Sequence, residues 1–289
     1  MCSVLSLFEK RNQMKTINTI LTVFIAVLPF RVCFAQEIQV ENLSTQMLAN
    51  TKDYSKTILE NEIGGITVSQ MSITGNTIKK EIQDKDYRNI YLFIKGNGSV
   101  IANKKKFDVV PETVLVQNAI KNISITVEKG DTLHFLKISS HLTEQDKLDL
   151  QEFPKENTQE IYYKKFTDCE AYTEPIKSPN TISRTIFPNK YIPRIAMGTV
   201  QAHDPDKVAP HEHGMLEQLF LGLGGNDITV FADDAQTNLP AYSLLHIPLG
   251  SSHSAKVDTH KKMYYVWMDF FRDKVGEEWL KTHNAIKKT

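Results

Sequence analysis

The chain has 289 residues, 41% of them hydrophobic and 24% charged, with lysine plus arginine equal to aspartate plus glutamate. That is enough for one large domain or two ordinary ones, each with its own core. Four of the 34 basic residues and one of the 34 acidic ones precede Gln36, leaving 30 against 33, so there is no basic surplus to hold nucleic acid.

The first 35 residues read as a targeting segment. Met1 to Gln13 extends ahead of a second methionine, and from Met14 a charged start (Lys15) leads to an apolar run, Ile20 to Phe30, and a small residue, Ala35. This is the pattern of a secretory signal peptide cleaved after Ala35, with Met14 as an alternative start. The expected destination is the periplasm or the medium. The run is too short to cross a bilayer, so no stable membrane anchor is expected. A lipoprotein signal at Cys33 is the weaker reading, because Arg31 stands just before it. Only Cys169 lies beyond the leader; a lone thiol forms no internal disulfide and reads as a packing residue.

Gln36 to Glu62 reads as an N-terminal arm crossing onto a sheet. Short strands with turn signals between them follow. They are Ile66 to Ile73, the buried run Ile90-Tyr91-Leu92-Phe93-Ile94 with its turn Gly96-Asn97-Gly98, Thr113 to Ala119, Ile123 to Val127 and Thr132 to Ser139. Thr143 to Phe153 reads as a short helix capped by Thr143, with Leu148, Leu150 and Phe153 as its apolar residues. A looser, proline-bearing stretch from Pro154 to Asn189 joins the halves. Arg194 to His203, Ile228 to Phe231, Tyr242 to Pro248 and Met263 to Phe271 are further strands, and Val275 to Ile286 is a terminal helix. Along Met263 to Phe271, Tyr265 and Trp267 share one face and Tyr264 and Val266 the other; pattern alone leaves open which looks inward.

The halves repeat. Ile90 to Gly98 parallels Glu217 to Gly225, Pro111 to Val116 parallels Pro240 to Leu245, and Thr132 to Ile138 parallels Met263 to Met268. On that alignment the first half carries no histidine at the positions matching the motif below; the positions fall near Asp84, Asp86, Ile90 and Ser124.

The most informative stretch is Pro210 to His253. His211-Glu212-His213 puts two imidazoles on one side of an extended chain, and Glu217 falls on the same side by count. The segment closes on Pro248-Leu249-Gly250-Ser251-Ser252-His253. Imidazoles with one carboxylate suit a divalent transition metal better than calcium or magnesium.

These residues resemble the cupin family, whose first motif runs His-x-His, three or four residues, Glu, and whose second runs Pro-x-Gly-x-x-His. The glycine usual before His-x-His is missing here, and Val257 stands where an asparagine is often found. The resemblance implies an all-β chain of two jelly-roll cupin barrels in tandem, a bicupin, with short peripheral helices and a C-terminal helix. The expected division is a degenerate N-terminal barrel over residues 36–160 and a metal-binding C-terminal barrel over residues 161–289. It further implies one divalent ion (manganese, iron, nickel or zinc) on His211, His213, Glu217 and His253, with Glu217 as base if it swings off the metal. A metal-dependent isomerase, hydrolase or dioxygenase acting on a small polar or carboxylate metabolite is the expected function; a non-catalytic barrel that binds a sugar or carboxylate is the alternative. A homodimer through barrel edges is compatible with the family pattern.

Overall fold

The structure is a computed structural model and describes residues 38–45, 51–280 and 286–287. The chain divides into two compact units, Met1–Phe34 and Ala35–Thr289. The signal peptide expected over residues 1–35 lies outside the described residues. Everything that follows concerns the second unit.

An arm strand, β1 (Val40–Asn42), comes first. The first barrel follows as β2 (Asp53–Ile58), β3 (Ile66–Thr74), β4 (Ile78–Ile82), β5 (Tyr87–Lys95), β6 (Gly98–Ala102), β7 (Lys105–Val109), β8 (Thr113–Val116), β9 (Asn122–Val127) and β10 (Thr132–His141). Helices α1 (Glu144–Glu152) and α2 (Lys155–Gln159) and strand β11 (Tyr162–Lys165) form the connection. The second barrel comprises β12 (Ala171–Thr173), β13 (Ile182–Phe187), β14 (Ile195–His203), β15 (Asp206–His211), β16 (Leu216–Gly222), β17 (Asp227–Ala232), β18 (Ala235–Pro240), β19 (Ser243–Ile247), β20 (His253–Val257) and β21 (Lys262–Phe271), then α3 (Lys274–Leu280) and β22 (Ile286–Lys287). The expected C-terminal helix is therefore shorter than Val275 to Ile286: α3 starts one residue earlier, and Ile286 is already in a strand paired with β12.

Each barrel closes a large sheet over a small one. The first sets β11-β8-β5-β10-β3-β2 against β4-β9-β6-β7, and the second sets β1-β19-β16-β21-β14-β13-β12-β22 against β15-β20-β17-β18. The all-β bicupin architecture expected from the sequence is the one observed. The strands at the division are exchanged. β1 precedes the first barrel yet pairs with β19 of the second, and β11 follows residue 160 yet pairs with β8 of the first. Each barrel covers an open sheet edge with a strand borrowed from beyond its own segment, which removes an unpaired row of backbone groups.

Alternation then divides the side chains. On β21, Met263 and Tyr265 join the interior core of the second barrel, while Tyr264, Val266, Met268 and Phe270 face the other way. That second face meets the matching face of the first barrel: Leu92, Ile94, Val114 and Leu136 share one core with Leu219, Leu221, Leu244 and Val266. Both faces of the large sheets are thus buried, which is why β5 and β16 read as continuous apolar runs rather than alternating ones. The turn after β5 needs glycine: Gly96 has φ +84°, and a Cβ there would come within 2.0 Å of the Thr132 carbonyl oxygen.

The interior of the first barrel is filled. Tyr91, Phe93 and Phe135 are fully buried inside it, with the Tyr91 hydroxyl donating to Gln117 Oε1 at 3.0 Å. Ladder positions also relocate the counterparts of the motif. His253 faces Ala232 and His211, and Ile123 holds the same two relations to Ala102 and Glu81. Gln218 faces Asp269 as Asn89 faces Ser139. The counterparts of His211, Gln218 and His253 are therefore Glu81, Asn89 and Ile123, and Glu217 corresponds to Arg88, so the positions Asp84, Ile90 and Ser124 expected for His211, Glu217 and His253 are each displaced. Glu81 is spent on an ion pair with Lys137 at 2.5 Å.

Helix α1 has the expected cap, Thr143, in a capping box with Asp146. It does not bury the expected face: Leu148 is exposed, while Asp146 and Asp149 are buried. The carboxylates go inward because each meets a cation. Arg194 grips Asp146 with two bonds of 2.7 Å, and Lys274 reaches Asp149 at 2.5 Å. Burial alone would raise the Asp146 carboxyl, but the Arg194 guanidinium and the Thr143 hydroxyl and backbone hold it below its ordinary value. A carboxyl lowered on folding stabilises the fold above its unfolded value and loses that contribution as pH falls through the folded one. Arg194→Ala should therefore cost about 3 to 5 kcal/mol at neutral pH, since it strands a buried charge, and should weaken the acid dependence of unfolding. Urea titrations of both proteins at neutral and acid pH test this; equal free energies at neutral pH would refute it.

Candidate metal centre

His211 ends β15, whose ladder with β20 carries a bulge between Val208 and His211. The bulge brings His211 opposite His253, the first residue of β20. His213 follows in the turn before β16. The approach to His253 is a tight turn: Gly250 has φ +75°, and the Ser251 N–H donates to the Pro248 carbonyl at 3.2 Å. Asp233 pins it further, accepting from the Ser252 N–H at 3.0 Å and donating its own N–H to the Ser252 carbonyl at 2.8 Å.

The three rings converge. Their centroids are 4.9 Å apart for His211 and His213, 4.3 Å for His211 and His253, and 5.2 Å for His213 and His253. One ligand-capable nitrogen from each lies within 4.8 Å of the others. Two of the rings have fixed tautomers. His211 Nδ1 lies 2.8 Å from the Ala209 carbonyl and His253 Nδ1 lies 3.1 Å from the Ser251 carbonyl. A carbonyl only accepts, so each Nδ1 carries the proton and each Nε2 keeps its lone pair. His253 Nε2 is buried and makes no hydrogen bond. Burial first, and then the neighbouring His211, hold the His253 imidazolium down to about 4, so the ring is neutral at neutral pH. A buried, neutral, unpartnered nitrogen beside two further imidazoles is the donor set of a metal ligand, and carbonyls that fix the opposite nitrogens are its usual support.

Glu217 does not belong to this group. Along β16, Gln218 and Phe220 face the barrel interior, whereas Leu219 and Leu221 face the other barrel. Glu217 shares the second parity. Its carboxylate accepts from His246 Nε2 at 3.1 Å, and His246 Nδ1 lies 2.8 Å from Glu62 of the first barrel. The expected roles of Glu217 as fourth ligand and as base are corrected accordingly. The count from His213 was taken as three intervening residues; the interior position lies one residue further on, where Gln218 stands.

The histidines line one wall of a cavity of about 740 Å³. Phe220, Tyr265 and Trp267 supply aromatic walls, which settles the face of β21 that looks inward. Trp267 lies directly against Gly198 on β14: a Cβ there would fall 2.2 Å from the indole ring. Cys169 also reaches the cavity, but burial raises its thiol, which donates to the Lys165 carbonyl. It is a packing residue, as expected.

Asp269 was not anticipated. It continues the interior series Tyr265, Trp267, Asp269 and is almost wholly buried, at 3% exposure. Gln218 Nε2 donates to its Oδ1 at 2.7 Å. Burial pushes its carboxyl up to about 7; Glu174 adds to the rise, while Gln218 and Lys177 oppose it. Lys177 is itself committed, to Glu174 at 2.5 Å and Ser183 Oγ at 3.0 Å. The alternation that pairs Tyr265 with Trp267 reaches Asp269 two residues later, so the signal was present in the sequence.

No family model matches the sequence, and no curated protein does. Solved structures do match. A Cupin 2 conserved barrel domain protein from Leptotrichia buccalis superposes with TM-score 0.56 at 14% identity, over 82% of this chain and 98% of that one. The oxalate decarboxylase of Lactobacillus farciminis, in a formate complex, gives 0.60 at 12% over 88% and 89%. The 7S globulin of Momordica charantia gives 0.55 at 10% over 82% and 83%. At these identities the likeness is one of fold, and the fold hosts both an enzyme and a globulin. With two closed jelly-roll barrels in tandem and neighbours of this kind, the chain has the cupin fold in its two-barrel form.

Proposed function

We propose that the C-terminal barrel holds one divalent transition metal on His211, His213 and His253, and that the protein is an exported metal-dependent enzyme acting on a small polar or carboxylate metabolite. The observation that carries the reading is the bare, buried Nε2 of His253 set among two other imidazoles. Three imidazole nitrogens without a carboxylate suit iron, nickel or zinc better than manganese, which favours oxygen ligands. A divalent ion bound there would supply Lewis acidity to a ligand oxygen.

The chain's own residues do the rest. The Ala209 and Ser251 carbonyls hold two rings in the ligating tautomer. Phe220, Tyr265 and Trp267 form an aromatic wall against which a small ligand packs, and Asp269 provides a carboxyl able to hold or release a proton near neutrality. The presence of this acid–base group favours an enzyme over the non-catalytic barrel. Export is supported by the charged start, apolar run and Ala35 of the leader. Among the described residues no helix is long and apolar enough to cross a membrane.

Metal analysis of the purified protein tests the reading. Wild type should carry close to one equivalent, and His211→Ala and His253→Ala should each lose it. Glu217→Gln should keep it, because its carboxylate faces the other barrel. Wild type that cannot be loaded with iron, nickel or zinc refutes the metal centre, and loss of metal in Glu217→Gln refutes the three-histidine ligand set.

A further inference from the structure

We propose that Asp269 and Gln218 form a subsite for a small 2-hydroxy acid: the Asp269 carboxyl donates a hydrogen bond to a carboxylate oxygen of the ligand, and Gln218 Oε1 accepts one from its hydroxyl. The inference rests on the metal reading above and gives it a substrate class.

The argument starts from what each group lacks. Asp269 is buried and, among the described residues, forms no ion pair; its one hydrogen bond is the one received from Gln218 Nε2 at Oδ1. A buried carboxylate with no cation beside it is costly and takes up a proton instead. Its surroundings agree. The nearest cation, Lys177, is held by Glu174, and Glu174 is a second negative charge facing the same carboxyl. The rest of the cavity lining sets Tyr172, Tyr265 and Trp267 near it and carries the charges of Lys164, Asp168, Glu170 and Lys190, none of which is among the groups that act on the Asp269 carboxyl. Protonated Asp269 therefore presents an O–H with no acceptor.

Gln218 presents the complement. Only 5% of it is exposed, its amide nitrogen is used on Asp269, and its Oε1 is buried without a partner. One donor and one acceptor thus stand side by side on adjacent strands, β21 and β16, in register. A 2-hydroxy acid offers the inverse pair on neighbouring atoms. Both groups line the cavity that the three histidines line, so one small molecule reaches all of them. The proton that Asp269 shares with the ligand comes from solvent, and no bond of the ligand is broken.

Calorimetric titration of zinc-loaded protein with glycolate, at mildly alkaline pH in two buffers of different ionisation enthalpy, tests this. Asp269 is then largely ionised in the free protein, so binding should take up close to one proton per glycolate. Asp269→Asn still donates a hydrogen bond but cannot ionise; it should bind glycolate with similar affinity and no proton uptake. Asp269→Ala should bind about tenfold more weakly or worse. Gln218→Leu should reduce the preference for glycolate over acetate. Glycolate binding without proton uptake in wild type, or unchanged uptake in Asp269→Asn, overturns the subsite and leaves the metal centre standing. Failure of wild type to hold zinc, iron or nickel overturns both.

Discussion

The large sheets of the two barrels bury both of their faces, and this constraint decides what every residue on them can do. One face of β16 and β21 closes the interior of the second barrel; the other packs on β5, β8 and β10 of the first. A shift of one residue along such a strand would exchange the two faces entirely, moving an interior residue into the seam between barrels. Leu219 and Leu221 in the shared core, with Phe220 against Tyr265 in the interior, leave β16 no freedom to slip. The identity of the cavity residues is thus fixed by apolar packing several residues away from the histidines.

The place of Glu217 outside the histidine cluster bears on the electrostatics of the proposed site. The proposed ligand set of three imidazoles would leave the full charge of a bound divalent ion on the centre, where a carboxylate would have cancelled part of it. Such a centre would attract an anionic ligand more strongly, and an anion taken out of water into the cavity needs its remaining oxygens satisfied. Asp269 can meet that need in its neutral form, whereas an ionised carboxylate would repel the ligand. Burial that keeps the carboxyl protonated to near neutrality and the cationic centre that a bound metal would form would therefore serve one outcome.

Much of this was legible in the sequence. Period-two patterns and glycine turns gave the strands, and the spacing of His211, His213 and His253 gave the cluster. The internal repeat gave the second barrel, although without histidines it could only be aligned by apolar pattern, and the ladders show that alignment displaced by one to three residues. Two features escaped for physical reasons. Choosing between Glu217 and Gln218 by residue chemistry favours the better ligand, but β16 follows a turn whose geometry breaks the count begun at His211. The carboxylates of α1 point inward because Arg194 and Lys274 arrive from distant parts of the chain, and no local pattern announces them.

The motif glutamate has a structural use. Glu217, His246 and Glu62 form a chain of contacts across the seam, with each nitrogen of the imidazole facing a carboxylate oxygen. His246 and Glu217 come from adjacent strands of the second barrel and Glu62 from the turn after β2 of the first. The ligand-type chemistry of a cupin strand is thus reused, one residue out of register, to hold the first barrel against the barrel that carries the histidines. The first barrel, its own interior filled by Tyr91, Phe93 and Phe135, then acts as the rigid backing of β16 and β21, the two strands that set Gln218 beside Asp269.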